Sequence, residues 1–159
     1  MVINPEVAVQ KGWIKNVGEN CLQPNSIDVR INKLFRITQG LTIGIDTKSP
    51  ASWVEEDVYN EEHFFYLDAF TPYQFEGIER INVPKNVCMR LYMRSTLGRQ
   101  GVFIGASFWD AGFSNYIGAA IYPFRAAQIQ KGSRIAQVVF MEAPSCKLYT
   151  GQYNKKNDQ

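Results

Sequence analysis

Residues 87–94 read Val-Cys-Met-Arg-Leu-Tyr-Met-Arg and run directly into Ser-Thr-Leu-Gly-Arg, residues 95–99. From Arg90 to Arg94 the side chains alternate, with Leu91 and Met93 on one face and Arg90, Tyr92 and Arg94 on the other. A period of two marks a strand with one buried face. At Arg94–Gln100 the alternation stops. Ser95 and Thr96 can cap a helix there, so the segment reads as a short helix entered from a strand end. Outward from this stretch, similar runs rich in Val, Ile, Tyr and Phe recur at Ser26–Arg30, Leu34–Ile37, Phe64–Leu67, Ile78–Val83, Tyr116–Tyr122 and Ile135–Glu142. Gly, Pro and Asn separate them. The Arg134–Phe140 run alternates less cleanly, which predicts burial on both faces. One other helical segment is expected, at Asn4–Lys11. Many short strands at close spacing predict an all-β domain, a sandwich, jelly roll or barrel with one or two short helices.

The chain has 159 residues and is 45% hydrophobic and 13% aromatic. That length suits one domain, and the composition can fill a core. The net charge of +2 is too balanced to argue for nucleic acid or a membrane surface. No apolar run is long enough to span a bilayer, and the N-terminus has no signal-peptide pattern. Cys21, Cys88 and Cys146 form no paired motif. They fit a reduced, cytoplasmic setting better than a disulfide framework. His63, the single histidine, lies beside Glu55, Glu56, Asp57, Glu61 and Glu62 and reads as a surface residue. Lys48–Glu62 reads as an insertion loop with solvated acids. The tail, Tyr153–Gln159, is polar and reads as mobile.

Charge is uneven along the chain. Between Arg90 and Gln137 stand Arg90, Arg94, Arg99, Arg125, Lys131 and Arg134, with Asp110 the only acid. A lone carboxylate among cations stays ionised at neutral pH. It could take a proton from water or help fix a metal-bound triphosphate.

Four ordered segments carry a resemblance, over about Gln23–Gln152, to the trimeric dUTPase and dCTP deaminase superfamily. The first is Gln-Pro-Asn-Ser-Ile-Asp-Val-Arg, residues 23–30, which resembles the deaminase branch's opening strand and puts Asp28 near a metal-bound triphosphate. Arg94-Ser95-Thr96-Leu97-Gly98-Arg99 resembles the phosphate-binding motif. There the arginines would contact phosphate oxygens and the first helical N–H groups would face the anion. Trp109-Asp110-Ala111-Gly112-Phe113-Ser114-Asn115-Tyr116 resembles the hairpin that reads the nucleotide. By that resemblance Asp110 orients the deoxyribose and activates water, Phe113 excludes a 2′-hydroxyl, and the backbone through Asn115 and Tyr116 reads the pyrimidine. Asn115 stands where the family usually has Gly, a mild departure since Asn tolerates left-handed backbone. Gly132-Ser133-Arg134-Ile135-Ala136-Gln137 resembles the segment whose Gln137 donates to phosphate, with Arg134 structural. Tyr149-Thr150-Gly151-Gln152-Tyr153 resembles the deaminase branch's closing arm, placing Tyr149 and Gln152 over the triphosphate.

The resemblance implies a distorted jelly-roll or barrel domain over residues 1–152, a homotrimer with sites between subunits, and Mg²⁺ held mainly by the phosphates with Asp28 acting through water. The deaminase branch places a glutamate ten residues after the hairpin Asp; here that residue is Ala120. No carboxylate lies between Asp110 and Glu142, and alanine cannot shuttle protons. The expected reaction is therefore dUTP + H₂O → dUMP + diphosphate, with Asp110 as base and Arg94, Ser95, Thr96, Arg99 and Gln137 as the phosphate clamp. Two alternatives stay open. One is action on dCTP, by deamination or diphosphate release, or on a modified pyrimidine nucleotide. The other is a nucleotide-binding regulatory relative without turnover.

Overall fold

The computed structural model describes residues 1–155. Eleven strands and two short helices follow in the order α1 (Pro5–Gln10), β1 (Ile14–Lys15), β2 (Ile27–Ile37), β3 (Trp53–Glu56), β4 (Phe64–Leu67), β5 (Tyr73–Asn82), β6 (Val87–Met93), α2 (Ser95–Arg99), β7 (Val102–Ile104), β8 (Ser107–Trp109), β9 (Ser114–Pro123), β10 (Ala127–Gln130) and β11 (Arg134–Glu142). The main sheet runs β7-β9-β5-β2-β11-β6-β8, with β1 beside β5 and β3 beside β2, while β10 and β4 pair separately. The sheet curls into a half-barrel, as expected of a distorted jelly roll. Among the described residues, no helix is long and apolar enough to cross a membrane.

Period-two burial builds the core. On β5 the residues Tyr73, Phe75, Gly77, Glu79 and Ile81 turn inward, while Gln74, Glu76, Ile78 and Arg80 face the other way. Ile27, Val29 and Ile31 of β2, Leu91 of β6, Ile117 and Ile121 of β9 and Val138 of β11 complete the interior. Glu79 sits in that apolar row at 0% exposure. A buried carboxylate is costly unless it is paired and hydrogen-bonded. Arg30 supplies both: its Nε lies 2.7 Å from one oxygen, and its backbone N–H donates to the other at 2.8 Å. The β2–β5 register shifts between Ile31 and Lys33, next to this clasp.

That shift explains one difference from the sequence reading. The runs read at Ser26–Arg30 and Leu34–Ile37 join in one strand, Ile27–Ile37, continuous through the irregularity. Arg134–Phe140 also differs: from Ala136 onward it alternates regularly, with Val138 and Phe140 inward and Gln137 and Val139 half-buried. The Lys48–Glu62 stretch is not wholly loop. Trp53–Glu56 pairs with β2, and Glu56 accepts from Arg36 Nε at 2.6 Å rather than standing free in water. α1 begins as expected, with Asn4 accepting from the Glu6 N–H at 2.9 Å and Pro5 in the first turn. His63 is exposed, in a turn.

Candidate active site

β8 delivers the chain to a tight turn, Asp110-Ala111-Gly112-Phe113, before β9 leaves it. The Phe113 N–H donates to the Asp110 carbonyl at 3.1 Å, and the turn is pinned to Val83 by two further backbone bonds of 2.7 and 2.8 Å. Gly112 has φ +89°, a left-handed conformation that favours glycine. A Cβ there would also lie 2.9 Å from Leu148 Cβ and 3.1 Å from the Tyr149 amide nitrogen. That closeness lets the C-terminal segment lie flat on the turn. The Tyr149 N–H donates to the Ala111 carbonyl at 2.7 Å, and the Tyr149 ring packs on Phe113 at 5.4 Å between centroids.

A cavity of about 370 Å³ opens beside this turn. Asp110, Phe113, Asn115, Tyr116 and Tyr149 all line it, as do Gln74, Phe108 and Tyr153. Asp110 is exposed and is the one carboxylate among the lining residues. Phe113 is only 7% exposed, wedged between Trp109 and Tyr149. Asn115 is absent from the residues with positive φ, so the Gly-to-Asn departure costs no backbone strain. Its side chain is used locally, donating to the Tyr153 carbonyl at 2.9 Å and accepting from the Tyr116 N–H at 2.8 Å.

Tyr153–Lys155, part of the tail read as mobile, dock on the hairpin. The Asn154 side chain accepts from the Ser114 N–H at 2.8 Å and donates to the Gly112 carbonyl at 3.1 Å, and the Lys155 N–H donates to the Ser114 carbonyl at 2.8 Å. Lys48 donates to the Tyr153 hydroxyl at 3.3 Å. That bond, and a weaker one with Gln152, pull the phenol's pKa down. Gln152 itself is exposed and does not line the cavity. The rest of the tail lies outside the described residues.

The expected phosphate residues gather elsewhere. Asp28 of β2 and Gln137 of β11 are direct cross-strand partners. Asp28 is 1% exposed, covered by Arg94 and Arg134. Arg134 donates to one of its oxygens at 3.2 Å, as Gln23 does at 3.3 Å, and Arg94 Nε stands 3.7 Å from the other. The carboxylate therefore aligns two guanidiniums and is closed off from the solvent side. Arg94 is also the N-cap of α2 and forms no side-chain cap bond. The expected capping by Ser95 and Thr96 does not occur. Both lie inside the first turn, exposed, as is Arg99. Gln137 is half-buried and accepts from the Ser26 hydroxyl at 3.3 Å. None of Arg94, Ser95, Thr96, Arg99 or Gln137 lines the Asp110 cavity.

The thiols report on the same region. Burial pushes the Cys88 thiol up, and the Asp110 charge adds to it; burial, then Glu79, does the same for Cys21. Cys146 is exposed. Thiolate is the reacting form. Brief iodoacetamide treatment of the native protein should add one label, at Cys146, while treatment in denaturant should add three. Intact-mass analysis with peptide mapping checks this, and early labelling of Cys88 would contradict the packing beneath Asp110.

A family model described as dCTP deaminase-like matches residues 3–143. The chain belongs to that family. Relatives of this dCTP deaminase-like chain carry names for two reactions. It is 29% identical over 150 residues to a probable deoxyuridine 5'-triphosphate nucleotidohydrolase of Methanopyrus kandleri, covering 92% of this chain and 96% of the relative. It is 34% identical over 142 residues to a dUMP-forming dCTP deaminase of Sulfurihydrogenibium sp., covering 83% of this chain and 77% of the relative. Among solved structures, the dCTP deaminase of Agrobacterium tumefaciens superposes with a TM-score of 0.69 at 18% identity over 87% of this chain, which spans 47% of that longer one. A dUTPase variant of Staphylococcus bacteriophage 80alpha, with dUpNHpp, superposes at 0.54 and 13% identity, covering 87% of this chain and 95% of that one. Identities this low speak for the fold alone.

Proposed function

We propose that this dCTP deaminase-like chain hydrolyses dUTP to dUMP and diphosphate. The observation that carries the reading is the cavity's single carboxylate. Asp110 lines it, and position 120, where the resemblance puts a deaminating glutamate, holds a methyl group. Deamination needs a group that passes protons to and from the pyrimidine. Phosphoanhydride cleavage needs an aligned water, an acceptor for its proton and cations near the phosphates. In the proposed step Asp110 takes a proton from water and the oxygen attacks the α-phosphorus. The bond to the α–β bridging oxygen breaks, and diphosphate leaves with that electron pair. Phe113, packed by Trp109 and Tyr149, walls the sugar. Arg94, Arg99, Ser95, Thr96 and Gln137 hold the phosphates, and Tyr149 and Gln152 belong to the closing arm.

Mg²⁺ enters this reading as part of the substrate. Among the described residues no group of three or more His, Cys, Asp or Glu could hold a metal. Both Asp28 oxygens already face cations. The described residues build no magnesium cage, and the triphosphate oxygens would carry the ion. In this reading Asp28, expected from the sequence to reach the metal through water, acts by positioning Arg94 and Arg134. The separation of the phosphate residues from the Asp110 cavity supports the homotrimer, because a neighbouring copy would have to bring one set to the other. Residence in the cytoplasm belongs to the same reading.

Incubation with dUTP, dCTP and dTTP plus Mg²⁺ tests the reaction. Diphosphate from dUTP without ammonia from dCTP is the expected outcome. Ammonia from dCTP would overturn it in favour of deamination, and tight binding without either product would favour a regulatory nucleotide binder.

A further inference from the structure

Gln74 belongs to none of the four motifs, yet it lines the Asp110 cavity. It sits on β5 directly opposite Ala120 of β9, and the next outward pair is Glu76 with Gly118. The outward row of β9 is therefore almost bare along this stretch, carrying one methyl and one hydrogen. A side chain at 118 is excluded by the strand itself, since a Cβ there would lie 2.8 Å from the Phe75 carbonyl oxygen. The same position lies 4.0 Å from Gln74 Nε2, so the carboxamide leans over the bare floor. Glu76 is engaged with Lys33 at 3.4 Å. Asn115, the other carboxamide in the cavity, is engaged with Tyr153 and Tyr116. Among the described residues, no side-chain hydrogen bond engages Gln74.

From this we infer that Gln74 is a specificity-determining residue that hydrogen-bonds the edge of a pyrimidine ring lying on the Gly118–Ala120 floor. The inference rests on the dUTP reading for where the sugar lies. With Asp110 and Phe113 at the sugar, β9 leads away from them beneath the ring, and Gln74 stands at the far end. A carboxamide presents one donor and one acceptor side by side. Against uracil its N–H donates to O4 and its oxygen accepts from N3–H. Turned over, it donates to N3 of cytosine and accepts from the 4-amino group. Gln74 thus selects a pyrimidine edge and tolerates either base, so the choice of product falls to the catalytic groups.

The test is affinity, which does not depend on turnover. Calorimetry would compare α,β-imido dUTP with α,β-imido dCTP on the whole wild-type chain and two variants, with folding checked by thermal melting. Gln74→Met keeps the length and loses the hydrogen bonds, so both affinities should fall about tenfold. Gln74→Glu offers acceptors only. Its second oxygen meets an acceptor on either base, O4 of uracil or N3 of cytosine, so both affinities should fall at least as far as in Gln74→Met. Wild-type affinity in Gln74→Met, or in Gln74→Glu, would overturn the assignment. Wild-type protein that binds neither analogue would overturn it too. Wild-type protein that binds both but releases no diphosphate from dUTP would defeat the hydrolase reading alone, leaving Gln74 to stand or fall on the affinities.

Discussion

Asp110→Asn should bind dUTP and fail to cleave it. The substitution keeps the size of the side chain and removes the lone pair basic enough to take a proton from water. A positioned general base contributes about 10²–10⁴-fold to rate, so kcat for diphosphate release should fall by that range. Affinity for a non-hydrolysable dUTP analogue should stay within about threefold, because the walls of the cavity are other residues. Phe113 is held by Trp109 and Tyr149, and the turn is held by Val83, with no role for the carboxylate in either. Thermal stability should also be nearly unchanged, since Asp110 is exposed. Diphosphate release at the wild-type rate would remove Asp110 from the mechanism. Collapse of binding together with turnover would make it a substrate anchor instead of a base.

Asp28→Ala should do its damage through arginines. The carboxylate is 2% exposed at the side chain and faces Arg134 at 3.2 Å and Arg94 at 3.7 Å. Breaking a fully buried pair costs about 3–5 kcal/mol. These guanidiniums keep 32% and 37% of their side-chain surface, and water can solvate what is left unpaired. The expected loss is accordingly smaller, about 2 kcal/mol, read from urea unfolding. Freed from its clasp, Arg94 should hold phosphate less well, raising KM for dUTP about tenfold, the cost of one charge-assisted hydrogen bond. The Mg²⁺ concentration giving half-maximal rate should not move. A large rise in that concentration with unchanged stability would return Asp28 to the metal.

What the sequence disclosed followed from contiguity. Phe64–Leu67 and the two helices are local patterns, and each appears where its residues predict. β7 and β8 did not announce themselves, because three residues are too few to show a period. They exist through non-local pairing, Phe103 against Tyr122 and Phe108 against Arg90. Trp53–Glu56 reads as loop on its own and becomes a strand only because the far end of β2 needs a partner. The site divides the same way. Asp110, Phe113, Asn115 and Tyr116 come from one hairpin, so a single stretch of sequence carries them. Gln74 has no such signal. Alternation on β5 places it outward, but only the register of β5 with β9 sets it opposite Ala120. Asp28 shows the converse: its strand could be read, while the arginines that close over it come from two distant segments.

Lys155 shares a hydrogen bond with Ser114, where the β8–β9 hairpin begins its outgoing strand, and Tyr153 lines the cavity. Tyr153–Lys155 therefore stand at the cavity's doorstep. The amino terminus is bridged through Val2 to Met141 and lines no part of that cavity. Bulk added to the side chains of Tyr153–Lys155 would crowd that doorway, and bulk added at Val2 would leave it clear.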